Sequence, residues 1–135
     1  MREFYVDSSV FLYAIFPTAF SEKLQEWFDT PGNRFMSSRL MRTEVMRALR
    51  RDDLEGDLIE PLLDEFYLVP INAKIHEIAE SFVPNIKTLD ALHLATAMYL
   101  DHGLTIVTHD ENMKKVAKLQ GMKVYDPILE RTDGE

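Results

Sequence analysis

Hydrophobic positions along this chain fall into short β-rich runs separated by longer stretches with helical spacing. Glu3 to Val6 is a short strand-like run that ends at Asp7. Ser21 to Phe28 carries Leu24, Trp27 and Phe28 on one side, which predicts a helix. Arg34 to Ser37 reads as a strand, Ser38 to Arg51 as a strong helix, and Leu54 to Phe66 as another with Pro61 as a break or kink. Tyr67 to Ile71 is a further strand, followed by a helix over Ala73 to Phe82 with Ile75, Ile78, Ala79 and Phe82 apolar. Thr88 to Asp101 predicts a helix stopped by Gly103, and Leu104 to Thr108 a buried strand. An amphipathic helix over Glu111 to Gln120 and a last strand over Met122 to Tyr125, closed by Pro127, complete the pattern. Strands separated by helices imply βαβ units, hence an α/β fold with a parallel sheet covered on both faces. In such sheets, sites form at the carboxyl ends of the strands.

Composition narrows the class. The 135 residues, 46% hydrophobic and 28% charged, fit one soluble domain over residues 1–128, with a polar tail at 129–135 that should fray. Without cysteine there is no disulfide framework and no Cys-ligated zinc or iron–sulfur site. No apolar run approaches the ~20 residues of a membrane span. The opening MREFYVDSS, with acids at Glu3 and Asp7, does not read as a secretory signal, so the expected location is the cytoplasm. A net charge of −8 argues against a broad basic nucleic-acid-binding surface.

The charge is unevenly spread, however. Residues 34–51 hold six arginines against the single acid Glu44, a local +5, whereas residues 52–65 hold seven acids and no base. Lys114, Lys115, Lys118 and Lys123 make a second basic patch. These patches and the acidic run have an ordinary reading as solvated helix faces. A local positive groove is still compatible with a negative total.

Four acids stand out. Asp7 follows the first strand, and Asp-Ser-Ser is good helix N-cap chemistry. Glu44 falls inside the apolar stripe of its helix, between Leu40 and Ala48. A carboxylate there needs a partner: either an ion pair with Arg47 or Arg51 along the helix, or a metal ion. Asp90 lies in the first turn of its helix, two residues after Thr88 as expected N-cap, where the helix dipole favours negative charge. That helix is apolar almost all round, so it should be sandwiched against the sheet with Asp90 at the crevice. Asp110 follows the Leu104–Thr108 strand and could be only a cap for the next helix. Together the four could converge at one sheet edge. Converging carboxylates repel, and a hard divalent cation such as Mg²⁺ relieves them. Such a cluster suits attack of water on a phosphodiester.

The segments YVDSSVFLYA, RTEVMRAL, TLDALHLATAMYL and IVTHDENM resemble the PIN-domain family, and within it the VapC-type toxins of VapBC toxin–antitoxin pairs. The resemblance runs from about Arg2 to Pro127 and is most specific over Leu89 to Ala97. It implies a PIN-like three-layer α/β/α fold with a parallel sheet of about five strands. It implies Mg²⁺ or Mn²⁺ on an acidic quartet and endonucleolytic cleavage of RNA, transfer or ribosomal RNA being the class targets. Carried over, Asp7 and Asp90 are the principal ligands, Asp110 a further one, and Glu44 binds metal or orients the attacking water. Ser8, Ser9 and Thr108 become supporting hydrogen-bond residues. Lys87 occupies a place where many relatives carry a base, though an ordinary solvated lysine is the simpler reading. A cognate VapB-like antitoxin and a homodimer are the implied protein partners.

Other residues carry less. His93, one turn beyond Asp90, is expected to be structural and hydrogen-bonded at the edge of the core. His109 is expected to be an exposed loop residue, and His102 sits in a turn. Tyr13, Phe16, Phe20, Trp27 and Phe28 suggest core, or a surface for a second copy or the antitoxin. For RNA, Arg47 and Arg51 beside Glu44 are the candidate phosphate contacts. A different class of function is a catalytically silent PIN-like module that binds RNA or a protein. A dehalogenase-type phosphatase would need Asp-x-Asp after the first strand, where this chain has Asp7-Ser8-Ser9. The acidic pair of a receiver domain is likewise missing.

Overall fold

A computed structural model describes residues 2–57, 59–101 and 103–129. Of the tail expected to fray over 129–135 all but Leu129 lies outside the described residues, as does the turn at His102. Five strands, β1 (Arg2–Val6), β2 (Asn33–Ser38), β3 (Tyr67–Val69), β4 (Thr105–Val107) and β5 (Lys123–Tyr125), form one sheet in the order β3-β2-β1-β4-β5. All four pairings are parallel, as strands joined through helices require. The helices are α1 (Ser8–Ile15), α2 (Ser21–Phe28), α3 (Arg39–Arg51), α4 (Glu60–Leu63), α5 (Ala73–Glu80), α6 (Thr88–Leu100) and α7 (Glu111–Leu119).

Period-two alternation sends neighbouring residues of each strand to opposite layers. Phe4, Val6 and Val107 pack with Leu24 and Trp27. Tyr5, Met36 and Ile106 pack with Leu94, Met113 and Val116 on the other side. The aromatic residues near the N-terminus mostly serve this core. Trp27 sits 5.2 Å from both Phe4 and Phe35, ring centroid to centroid, and Phe28 lies 5.1 Å from Phe35. Helix α6 is buried without a break from Ala91 to Ala97, as its all-round apolar surface predicts.

The strand order places a switch point. From β1 the chain runs outward through β2 and β3, then returns to add β4 and β5 on the other side of β1. Connections therefore leave β1 and β4 in opposite directions, and a crevice opens at their carboxyl ends. Asp7 directly follows β1, and Asp110 follows β4 by three residues.

Three local expectations are corrected. The helix expected over Leu54–Phe66 is only the single turn Glu60–Leu63. Asp53 closes the end of α3 with φ +55°, a left-handed conformation that Asp tolerates, and Pro61 is accommodated at a helix start because its missing N–H costs nothing there. Helix α1 forms where the pattern marks only a cap at Asp7. The N-cap of α6 is Lys87, without a side-chain cap, and Thr88 is the first helical residue. Asp90 is still in the first turn.

Candidate functional site

The crevice at the switch point collects the acids. Asp7 caps α1 and is buried, 4% exposed. Its Oδ2 accepts from Ser9 Oγ and from Thr108 Oγ1, both at 2.9 Å, and its Oδ1 has only a long contact of 3.4 Å with the Ser9 N–H. Thr108 Oγ1 in turn accepts from the Asp110 N–H at 3.1 Å, so one hydroxyl spaces two of the acids. Asp110 caps α7 through Oδ1, which accepts from the Met113 N–H at 2.7 Å. Ser9 and Thr108, two of the residues expected near the site, thus both hydrogen-bond Asp7.

Asp90 enters from α6. Burial raises its carboxyl above the usual range, the charges of Asp7 and Asp110 push it further, and those of His93 and Lys87 act in the opposite sense. The exposed Lys87 thus stands within electrostatic reach of this acid. No Lys or Arg among the described residues forms an ion pair with Asp7, Asp90 or Asp110.

Glu44 forms no ion pair with Arg47 or Arg51. Its Oε1 accepts from Ser8 Oγ at 2.7 Å and from His93 Nε2 at 2.8 Å. Burial alone would raise its carboxyl, but the hydrogen bond and charge of His93 and the bond from Ser8 outweigh it and leave it lowered. Arg51 pairs with exposed Asp52, and Arg47 is exposed with no carboxylate partner among the described residues. His93 is deeper than the core edge, at 1% exposure. Its Nδ1 meets Tyr5 Oη at 2.8 Å, and Nε2 also lies 2.8 Å from Ser8 Oγ. Because Nε2 donates to the Glu44 carboxylate, Nδ1 of a neutral ring accepts from Tyr5. Burial holds the Tyr5 phenol protonated, well above its ordinary range.

Can the acids take an ion? The donor set is carboxylate and hydroxyl oxygen, which suits a hard cation. Asp90 has no hydrogen bond among the influences on its charge, so its oxygens remain able to coordinate. Among the described residues, no three His, Asp or Glu side chains are close enough to hold an ion as they stand. The charges of Asp7 and Asp110 nonetheless both reach Asp90.

Residues 4–119 match the family model described as PIN domain. The chain belongs to the PIN-domain family. This PIN domain is 33% identical over 130 residues to Ribonuclease VapC46 of Mycobacterium tuberculosis, covering 94% of this chain and 99% of that one. It is 30% identical over 129 residues to Ribonuclease VapC35 of the same species, covering 91% and 96%. The fold is similar to a toxin–antitoxin complex from Klebsiella pneumoniae, with TM-score 0.67, 20% identity, and 92% and 97% of the two chains covered. It is also similar to VapBC2 of Rickettsia felis bound to a promoter DNA fragment, with TM-score 0.69, 14% identity, and 92% and 98% coverage.

One feature of this PIN domain has no counterpart among the expected site residues. Asp126, 2% exposed, follows β5, and its Oδ2 accepts from Lys114 Nζ at 2.6 Å and His109 Nδ1 at 2.8 Å. Its Oδ1 accepts from the Ile128 and Leu129 N–H groups at 2.9 and 3.3 Å. His109 is therefore a paired, half-buried group and not a free loop residue. Lys114, 9% exposed, drops out of the second basic patch. The visible signal was a lysine beside Met113 on the buried stripe of α7; nothing local pointed to Asp126.

Proposed function

We propose that this PIN domain is a divalent-metal-dependent endoribonuclease, the toxin of a type II toxin–antitoxin pair. The observation that carries the proposal is the gathering of acids at the switch point: one Thr108 hydroxyl bonds both Asp7 and the Asp110 N–H, and Asp90, from the first turn of α6, feels the charges of both. The names of the relatives supply the substrate class: they are VapC ribonucleases. The structural neighbours, described as toxin–antitoxin complexes, support a VapB-like antitoxin partner; a homodimer belongs to the same proposal.

Asp7 and Asp90 would hold the ion, Mg²⁺ or Mn²⁺, with Asp110 completing the set directly or through water. Such an ion supplies charge neutralisation at a phosphate and lowers the pKa of bound water. The protein's own groups do the positioning. Ser9 and Thr108 fix Asp7 Oδ2 and leave Oδ1 with only the long contact to the Ser9 N–H. His93 and Ser8 clamp Glu44 Oε1 and keep the carboxylate ionised, so Oε2 can accept a hydrogen bond from the attacking water. Lys87 at the mouth meets an incoming phosphate.

Purified protein freed of antitoxin should cut RNA internally with Mg²⁺ or Mn²⁺ and stop when EDTA is added. Cleavage that persists in EDTA would reject the metal-dependent reading. Thr108→Val removes the hydroxyl shared by Asp7 and Asp110. Loss of such an orienting group should weaken Mn²⁺ binding by about tenfold or more in isothermal titration; unchanged affinity would show that Thr108 does not orient the acids.

That no three His, Asp or Glu side chains among the described residues could hold an ion as they stand favours one second reading, a PIN fold that holds RNA or a partner without cutting it. RNA binding indifferent to both divalent metal and Asp90→Asn would establish it.

A further inference from the structure

The outer side of α3 carries a second charged feature, apart from the acids. Arg39, Arg42, Arg47 and Arg50 line one open groove of about 490 Å³, floored by Met46 and Leu49 and closed by the turn at Leu54 and Gly56. Only Asp53 adds a negative charge to that lining. Arg42 is tied to Glu60 of α4, and Arg39 donates to Thr43 Oγ1 at 3.2 Å. No carboxylate among the described residues pairs with Arg47 or Arg50, or with Arg39.

Four guanidinium groups gathered on one wall repel one another, and only Arg42 has a carboxylate partner among the described residues, so an anion in the groove would relieve them. Their forked donors match phosphate oxygens. The groove also has a direction. Arg47 lies one helical turn from Glu44 and about 60° around the axis from it, at the near edge of the groove, while Arg39, Arg42 and Arg50 lie about 120–160° around the axis from Glu44, on the far side of the helix. One rigid helix therefore joins the acidic crevice to the arginine groove.

We propose that this groove is a phosphate-backbone site for single-stranded RNA, which holds the strand on one side of the scissile bond. The inference rests on the ribonuclease reading and assigns it a substrate path. It replaces the pair Arg47 and Arg51 with Arg39, Arg42, Arg47 and Arg50, since Arg51 is not part of the groove's lining and pairs with Asp52. Glu60 limits the groove by engaging Arg42, leaving three arginines for phosphates.

Binding of a fluorescent single-stranded RNA, measured by anisotropy in EDTA so that nothing is cut, tests this directly. Each phosphate contact contributes about −0.7 to the slope of log affinity against log salt. Arg39→Ala/Arg50→Ala should therefore make the slope shallower by about 1.4 and weaken binding at least tenfold at low salt. Arg47→Glu should weaken binding and cleavage together, and circular dichroism should show both variants folded, because all three residues are exposed. Lys118→Ala, a charge removed from exposed α7 surface, should change neither slope nor affinity. Unchanged affinity and slope in the arginine variants would overturn the groove assignment while leaving the nuclease reading standing. An equal effect from Lys118→Ala would overturn it too, since the attraction would then be diffuse. So would variants that keep RNA binding but lose binding of polyglutamate, which would make the groove a protein-docking surface. Failure of the wild-type protein to cut RNA with Mg²⁺ would instead reject the nuclease reading itself.

Discussion

Asp90→Asn is expected to abolish RNA cleavage and to raise the melting temperature of the metal-free protein. The two effects have one cause. Burial and the neighbouring charges of Asp7 and Asp110 raise the Asp90 carboxyl above its ordinary range, so the folded protein favours the protonated form more than the unfolded chain does. At neutral pH the charge on Asp90 therefore opposes folding, and removing it stabilises. The same charge is what an ion and an incoming phosphate need. Its loss should lower cleavage on the order of 10²–10³-fold or more, the scale on which single electrostatic groups act at reacting centres. Wild-type stability should also rise as pH falls through the raised pKa, an effect missing from the variant. Thermal melts with EDTA and a cleavage assay with Mg²⁺ test both halves. A variant that loses activity and also melts lower would indicate a structural Asp90. Full activity would place the chemistry elsewhere.

Asp126→Ala is expected to cost about 3 kcal/mol, because it strands a buried lysine. Burial disfavours the Asp126 carboxylate, but hydrogen bonds from Lys114, His109 and two backbone N–H groups outweigh that and hold its pKa below the ordinary range. Lys114 similarly stays charged despite burial because Asp126 and Glu111 face it. Without Asp126, Lys114 keeps only Glu111, whose side chain is 76% exposed. The sign with pH follows from the depressed carboxyl. Its contribution is full above the ordinary value of 3.8 and is lost as pH falls below that through the folded-state value. Urea denaturation at pH 7 should show the loss in Asp126→Ala. Asp126→Asn, which preserves shape, should lose less and show a flatter decline at acid pH. An unchanged urea midpoint for Asp126→Ala would mean that the Lys114–Asp126 pair adds nothing to stability. The network has a local consequence, since His109 lies between Thr108 and Asp110 and is fastened to the segment after β5.

Much of this was legible from one-dimensional pattern. The order of strands and helices follows from period, and Asp7, Asp90 and Asp110 were readable because each sits at the end of a predictable element facing one sheet edge. Glu44 was readable as an acid out of place on an apolar stripe, but its partners were not. A local reading weighs Arg47 and Arg51, whereas the true donors lie 36 and 49 residues away, at Ser8 and His93. Tertiary contact decided that choice, and only the fold supplies it. Helix α1 escaped because its burial is broad, with Val10, Phe11 and Ala14 buried and Leu12 and Ile15 packed on a second cluster. The stretch after α3 was overextended because spacing outweighed Asp53, which takes a left-handed turn. Asp126 was invisible for the same reason as the donors to Glu44: a lone acid before a proline signals nothing until Lys114 and His109 are brought to it.

Diffraction from crystals soaked in Mn²⁺, with anomalous differences measured at the manganese edge, tests the central claim most directly. A peak is expected in the crevice at the ends of β1 and β4, with Asp7 and Asp90 drawn onto the ion and Asp110 beside it. A saturating soak that leaves the crevice without a peak, or places Mn²⁺ only elsewhere on the surface, would contradict it.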